Sequence, residues 1–279
     1  MKLLVPLDGS NLSEIVFPWV RILGSEVELL RSYLPVEHLR LAPELPITIA
    51  EMVNDDQADD AVEKYLEKQA SKLQGLKVST HCVAGHPADA ILDHADDCDA
   101  IVIASHGTSG ITRWLLGSVT TKIVRASVKP VLVVSARPDP KPRAAKVETI
   151  FVPLDGSETA ELALSQAVEL ARRFKAKLVL YEGVTYRSGT PEEEDWQALS
   201  AREYLNKQAE SLDGLDVEVY VHESKVGPEI VAQAERHKAD LIVMGSHGRR
   251  GVSRWVLGSV TEGVVQRSLC PVLVVYGRE

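Results

Sequence analysis

Short apolar runs alternate with longer amphipathic stretches along the whole chain. The apolar runs are rich in Val, Ile and Leu, which is typical of strands buried in a parallel sheet. The stretches between them repeat apolar residues every three to four positions, which predicts helices. Strands are predicted at 2–7, 27–32, 77–82, 100–103 and 131–134 in the first half, and at 149–154, 177–181, 217–222, 241–244 and 272–276 in the second. Second-half helices are predicted at 159–174, 196–212, 229–237 and 260–268.

The two halves are copies of one unit. The string LLVPLDGS at 3–10 recurs as IFVPLDGS at 150–157, and 18 of 30 positions are identical between 105–134 and 246–275. This tandem duplication predicts an α/β fold of two five-stranded, Rossmann-like parallel-sheet domains with helices on both faces of each sheet. The predicted divisions of the chain are a domain at 1–136, a proline-rich linker at 137–147 and a second domain at 148–279.

The first helix of the first half is expected to differ from its counterpart. Between the first two strands the first half is about four residues shorter than the second, roughly one helical turn, and Pro18 lies in this stretch. Proline lacks the amide hydrogen that a helix interior requires. This helix is therefore predicted to be short or kinked.

Net charge, hydropathy and cysteine content exclude several classes of protein. A formal net charge of −9 disfavours general binding to nucleic acid, because the phosphate backbone would be repelled. The sequence has no apolar run long enough to span a bilayer and no signal-peptide pattern, so we expect a soluble cytoplasmic protein without a membrane partner. The three cysteines form no CxxC pair, and the spacing of Cys and His matches no standard zinc pattern.

A glycine-rich string follows the fourth strand of each half. In the second half the strand runs into Gly245 and Gly248, and Gly258 with Ser259 precedes the last helix. Open α/β sheets bind ligands at the carboxyl ends of their strands, and the amides at a helix start attract phosphate. The string therefore predicts a phosphate-binding loop. Turn geometry is the alternative, since Ser259 and Glu262 also fit a capping box.

Two further pairs of polar residues recur in the halves. Asp8 and Asp155 end the first strands and could accept hydrogen bonds from a ribose or an adenine amino group. An Asx turn or N-cap leading into the first helix explains them as well. His106 and His247 could contact a phosphate or a metal ion, or form a hydrogen bond within their own loops.

These motifs resemble those of the universal stress protein family, over nearly the whole chain. ATP-binding members of that family carry a glycine, two residues, a second glycine, nine residues, and then glycine followed by Ser or Thr. The second half matches this pattern at Gly245, Gly248, Gly258 and Ser259. The first half matches at Gly107, Gly117 and Ser118 and departs at Ala104.

The resemblance implies a nucleotide site in each half, with the aspartates at the adenosine and the helix starts at the phosphate tail. The implied residues of the second half are Pro153, Asp155, Met244, Gly245, His247, Gly248, Arg249, Gly258, Ser259, Val260 and Thr261. Those of the first half are Pro6, Asp8, Gly107, Gly117, Ser118, Val119 and Thr120. Ser32 and Gly183 stand where the family usually places a small aliphatic residue against adenine.

Family members also pair through their last strand. The strands at 131–134 and 272–276 would then pair within this chain, and the paired domains could form a homodimer in turn. Both are consequences of the resemblance.

The resemblance and the local charges together predict a stress-response protein that binds ATP with Mg²⁺, more strongly in its second half. The second loop carries Arg249, Arg250 and Arg254, whereas the first carries Thr108, Ser109 and Arg113. Ala104 is expected to place a methyl group where the main chain would approach the ligand. A slow ATPase and a dimeric scaffold without nucleotide are the alternatives; no Walker A lysine loop is present, and no catalytic residue is assigned.

Overall fold

A computed structural model describes residues 1–33, 55–106, 116–137, 144–184, 191–223, 228–248 and 257–277. These residues form two compact units, which divide between Lys129 and Pro130. We call residues 1–129 the first unit and residues 130–279 the second unit. Each is described by itself.

The first unit contains four parallel strands with helices between them. Its strands are β1 (Lys2–Pro6), β2 (Glu26–Tyr33), β3 (Lys77–Ala84) and β4 (Ala100–Ala104). Its helices are α1 (Phe17–Leu23), α2 (Asp55–Ala70), α3 (Pro87–His94) and α4 (Ser118–Ala126), and a 3₁₀ turn at Ser13–Val16 precedes α1. The strand order is β3-β2-β1-β4, so β1 and β4 are neighbours although the chain runs outward from β1 to β3 first. Such a reversal of direction is the switch point at which open α/β sheets bind ligands.

The second unit repeats this arrangement and adds two strands. Its strands are β5 (Val131–Val134), β6 (Thr149–Pro153), β7 (Lys177–Val184), β8 (Val217–Glu223), β9 (Leu241–Gly245) and β10 (Val272–Val275). Its helices are α5 (Glu158–Phe174), α6 (Pro191–Glu210), α7 (Pro228–Arg236) and α8 (Ser259–Arg267). The strand order is β5-β10-β9-β6-β7-β8, with β6 and β9 at the switch point.

The pairing implied between the last strands of the two halves is present. β5 and β10 are antiparallel, with Leu132 opposite Leu273, while all other described strand pairs are parallel. Because β5 pairs with β10, the last strand of the first sequence repeat belongs to the second compact unit. The predicted fold class is confirmed.

The first helices of the two units differ as the sequence predicted. α1 has 7 residues and α5 has 17. Pro18 lies in the first turn of α1, where its missing amide hydrogen would have no intrahelical acceptor, so the helix is short rather than kinked. α5 instead begins at a conventional N-cap, because the Ser157 hydroxyl accepts a hydrogen bond from the amide of Ala160.

The central strands form the apolar interior of each unit. β4 and β9 are buried along their whole length, as the uninterrupted apolar runs of the sequence require. The chain leaves both strands at the carboxyl edge of the sheet, where the glycine-rich strings begin.

Candidate functional site

Two strand ends of the second unit meet at Asp155 and Gly248. β6 ends two residues before Asp155, and its neighbour β9 ends three residues before Gly248. A β-carbon added to Gly248 would lie 2.2 Å from Asp155 Oδ2. A side chain at this position would force the loop or the carboxylate to move, so glycine allows the main chain of the loop to lie against the carboxylate as it stands.

Asp155 also shapes its own turn. Its Oδ1 accepts hydrogen bonds from the Ser157 amide, at 3.1 Å, and from the Ser157 hydroxyl, at 2.6 Å. Asp8 and Ser10 repeat the arrangement in the first unit at 2.9 Å and 2.6 Å. The Asx-turn interpretation of both aspartates is therefore confirmed. The turn engages Oδ1, and Oδ2 of Asp155 faces the loop at Gly248.

The glycine-rich string returns to the strand that it left. The amide of Gly258 donates to the carbonyl of Ser246 at 2.8 Å, and the Thr261 hydroxyl donates to the carbonyl of Gly245 at 2.8 Å. The first unit repeats both bonds at 2.9 Å, from Gly117 to Ser105 and from Thr120 to Ala104. The hydroxyls of Thr120 and Thr261 therefore close the loops, and a contact of either residue with phosphate would have to come from its main chain.

The last helix of the second unit points its amino end into this loop. Gly258 is the N-cap of α8, and Ser259, the first helical residue, is exposed. No side chain caps this helix start, so the capping box expected for Ser259 and Glu262 was wrong. The amides of the first turn of a helix have no hydrogen-bond acceptor within the helix, and the helix dipole adds partial positive charge there. α4 begins in the same way after Gly117, with Ser118 exposed.

The two histidines of the strings form hydrogen bonds to their preceding residues. Nδ1 lies 3.0 Å from a serine Oγ in each unit, Ser105 for His106 and Ser246 for His247. The prediction of a hydrogen bond within the loop is confirmed. In the part of the chain that the structure describes, no group of three or more His, Cys, Asp or Glu side chains could hold a metal ion.

Gly245 lies closely against the start of α5. A β-carbon at this position would lie 3.0 to 3.1 Å from main-chain atoms of Thr159 and Ala160, in the first turn of that helix. The start of α5 is therefore a second explanation for the glycine at this strand end, and the interpretation that Ala104 obstructs a ligand stays a prediction. In the first unit the 3₁₀ turn packs against β4, and the buried methyl of Ala104 is accommodated.

Tyr181 is a residue of this edge that sequence reasoning missed. Its ring is buried and packs on Phe151 with centroids 5.2 Å apart. A β-carbon at Gly183 would lie 3.1 Å from the Tyr181 hydroxyl oxygen, so the tyrosine reaches the position where the family carries a small aliphatic side chain. The available signal was a large aromatic residue two positions before a glycine, on the same face of one strand.

The remaining predicted residues divide into two groups. Pro6 and Pro153 end β1 and β6, and Met244 is buried in β9 opposite Val274. Val119 and Val260 are half-buried in the first turns of α4 and α8. The predicted residues that lie outside the described ranges are Gly107, Thr108, Ser109, Arg113, Arg249, Arg250 and Arg254.

Comparison with known proteins decides the family. The sequence model of the universal stress protein family matches residues 1–135 and 146–276. This chain belongs to the universal stress protein family. It is a tandem two-domain member, since the model matches each half once.

Individual relatives agree with this assignment. A universal stress protein of Mycolicibacterium smegmatis is 27% identical over 99% of this chain and 97% of its own length. One of Methanocaldococcus jannaschii is 36% identical over 45% of this chain and 80% of its own length. The crystal structure of a universal stress protein from Archaeoglobus fulgidus has the same fold, with a TM-score of 0.73, 23% identity, and coverage of 99% of this chain and 96% of that one.

Among the residues described, no helix is both long and apolar enough to cross a bilayer.

Proposed function

We propose that this universal stress protein binds an adenine nucleotide, ATP with Mg²⁺, in its second unit, and binds it more weakly or not at all in its first. The observation that carries the proposal is the contact between Asp155 and Gly248 beside the amino end of α8. A hydrogen-bond acceptor, a glycine whose main chain lies against it and a set of helix-start amides lie at the switch point of one sheet.

The residues present fit a nucleotide. The first-turn amides of α8 can donate to phosphate oxygens, and the Asp155 carboxylate can accept from a ribose hydroxyl or an amino group. Since no cluster of metal-binding side chains occurs in the described residues, Mg²⁺ would be held mainly by the nucleotide phosphates and water. The bound nucleotide would supply the negative charge that these amides attract. A regulatory role, a cytoplasmic location and a homodimer stay predictions.

The difference between the units rests on charge. Sequence places Arg249, Arg250 and Arg254 in the second loop, where the first has a single arginine, Arg113. Hydrogen bonds from charged donors contribute about 1.5 to 3 kcal/mol each, so two further cations would separate the affinities strongly.

The experiment is identification of the nucleotide by mass spectrometry after denaturation of purified protein, followed by calorimetric titration with ATP-Mg²⁺. One nucleotide per chain is expected. Replacement Gly248→Ala forces either the loop or Asp155 to move, and we expect ATP affinity to fall at least about tenfold, the effect of losing 1.4 kcal/mol.

The matched control is Gly117→Ala in the first unit, where the added β-carbon would have its nearest neighbour at 3.5 Å, an ordinary contact. It should leave binding by the second unit unchanged. Protein that releases no nucleotide and gives no heat with ATP would contradict the proposal and favour a scaffold. Multiple turnovers of ATP well above background would favour an ATPase.

A further inference from the structure

Thr159 connects three parts of the second unit. It is the second residue of α5 and only 5% exposed. Its hydroxyl donates a hydrogen bond to the carbonyl of His247, in the glycine-rich loop. Its main chain lies against Gly245, and its methyl group lies 3.3 Å from the β-carbon position of Gly277, just after β10. This one residue therefore lies against the end of β9, the loop and the segment that follows β10.

The hydrogen bonds of the α5 turn leave little freedom for these hydroxyls. Ser157 donates its hydroxyl hydrogen to Asp155 Oδ1 at 2.6 Å and accepts the amide of Ala160. A hydroxyl has one hydrogen, and that of Thr159 is directed to His247. Asp155 and the loop that lies against it are thus held by two hydroxyls from the same helical turn.

The first unit has no equivalent donor. Leu12 occupies the aligned position, is 37% exposed and carries no hydroxyl. The nearby Ser13 hydroxyl donates to the carbonyl of Ser10 at 2.8 Å, which closes the 3₁₀ turn on itself. The loop after β4 is therefore not held by a side-chain hydroxyl from position 12.

We propose that Thr159 is a positioning residue that holds the His247 carbonyl, and with it Gly248, in the binding arrangement before a ligand arrives. A loop already held in this arrangement loses less conformational entropy when a nucleotide binds. The consequence for affinity rests on the proposed function, whereas the restraint on the loop does not.

The test compares Thr159→Val, which keeps the shape and removes the hydroxyl, with Thr159→Ser, which keeps the hydroxyl. Ser165→Ala is the control, because it removes a hydroxyl from the same helix that bonds only to Glu161 one turn earlier.

Two quantities are measured on the full chain: hydrogen–deuterium exchange of the segment 246–248 without nucleotide, and ATP affinity by calorimetry. Thr159→Val should accelerate exchange and weaken ATP binding about three- to tenfold, the value of one neutral hydrogen bond. Thr159→Ser should restore both, and Ser165→Ala should change neither.

Each other outcome has one meaning. Unchanged exchange in Thr159→Val would overturn the restraint. Faster exchange with unchanged ATP affinity would overturn its role in binding. If the unsubstituted chain binds no ATP while exchange still rises in Thr159→Val, the proposed function fails and the restraint stands.

Discussion

The two units differ in where their first helix begins relative to the neighbouring strand end, which is that of β4 in the first unit and of β9 in the second. In the second unit α5 begins at Glu158, so that its first turn lies within 3.0 Å of the β-carbon position of Gly245. In the first unit a 3₁₀ turn begins at Ser13 and the α-helix only at Phe17. There the strand ends in Ala104, and the residue aligned with Thr159 is Leu12.

The residue at the end of the strand, Gly245 in β9 and Ala104 in β4, therefore correlates with where the first helix of the unit starts. A glycine in a ligand-binding motif is easily attributed to the ligand, yet at Gly245 the main chain of α5 by itself leaves little room for a side chain. Gly248 is different, because the group that excludes its side chain is the carboxylate of Asp155. A side chain is thus disfavoured at the two glycines of one motif for different physical reasons.

The largest effect is expected from Gly245→Ala. Its methyl group would meet main-chain atoms of Thr159 and Ala160, which cannot move without displacing α5. We expect a loss of about 1 to 3 kcal/mol in the free energy of unfolding, the usual cost of overpacking a core. The measurement is the shift in thermal and urea unfolding midpoints.

The counterpart is Ala104→Gly. Removal of one buried methyl group and the added chain entropy should cost about 1 kcal/mol, without any gain in nucleotide bound by the first unit. A rise in ATP stoichiometry would instead support the interpretation that the methyl group obstructs a ligand.

A smaller effect should separate Gly258→Ala from Gly117→Ala. Both remove a glycine from a helix N-cap, so that cost is shared. The β-carbon at Gly258 would lie 3.2 Å from the Cα atom of His247, whereas that at Gly117 has its nearest neighbour at 3.5 Å. We expect Gly258→Ala to be less stable than Gly117→Ala by about 0.5 to 1 kcal/mol, at the low end of overpacking costs. Equal unfolding free energies would show that the two loops are equally crowded.

The smallest effect concerns one ion pair within each unit. The acidic and basic residues occupy opposite strands in the two pairs. Lys177 on β7 contacts Glu218 on β8 at 2.7 Å, while in the first unit Glu26 lies on β2 and Lys77 on β3, 2.9 Å apart. The hydrogen bond from Lys177 lowers the pKa of Glu218, with a further contribution from the charge of His237.

Because the pKa of Glu218 is lower in the folded state, its stabilisation is present above the ordinary glutamate pKa, about 4.3, and is lost as the pH falls through the folded value. Glu218→Gln should therefore lower the melting temperature at pH 7, by about 1 °C or less for an exposed pair, and have less effect at pH 3. Glu26→Gln should behave in the same way, since its pKa is also lowered. A larger decrease at pH 3 than at pH 7 would contradict this origin.

Sequence reasoning was most accurate where a local rule decides the structure. The spacing of Asp155 and Ser157 leads to an Asx turn because the two residues lie within one turn of the chain, whatever surrounds them. Pro18 likewise shortened the predicted helix through its own geometry.

It was least accurate for side chains whose partner is distant along the chain. The hydroxyl of Thr261 bonds to Gly245, 16 residues away, and Thr159 bonds to His247, 88 residues away. Ser259 and Glu262 satisfy a local capping pattern, but the structure uses Gly258 as the cap, because the amide of this residue is bonded back to the strand end. The periodicity of apolar residues along the sequence does not predict these long-range hydrogen bonds.

The sequence by itself determined the duplication, the α/β order of each half, the short first helix and the place of the glycine-rich loops at strand ends. These follow from apolar periodicity, from proline and glycine geometry and from comparison of one half with the other. Only the tertiary structure decided which atoms exclude a side chain at Gly245 and at Gly248, and which hydroxyls hold the loop. Such contacts depend on differences of a few tenths of an ångström in the distance between segments far apart in the chain, and those distances are set by the packing of helix on sheet.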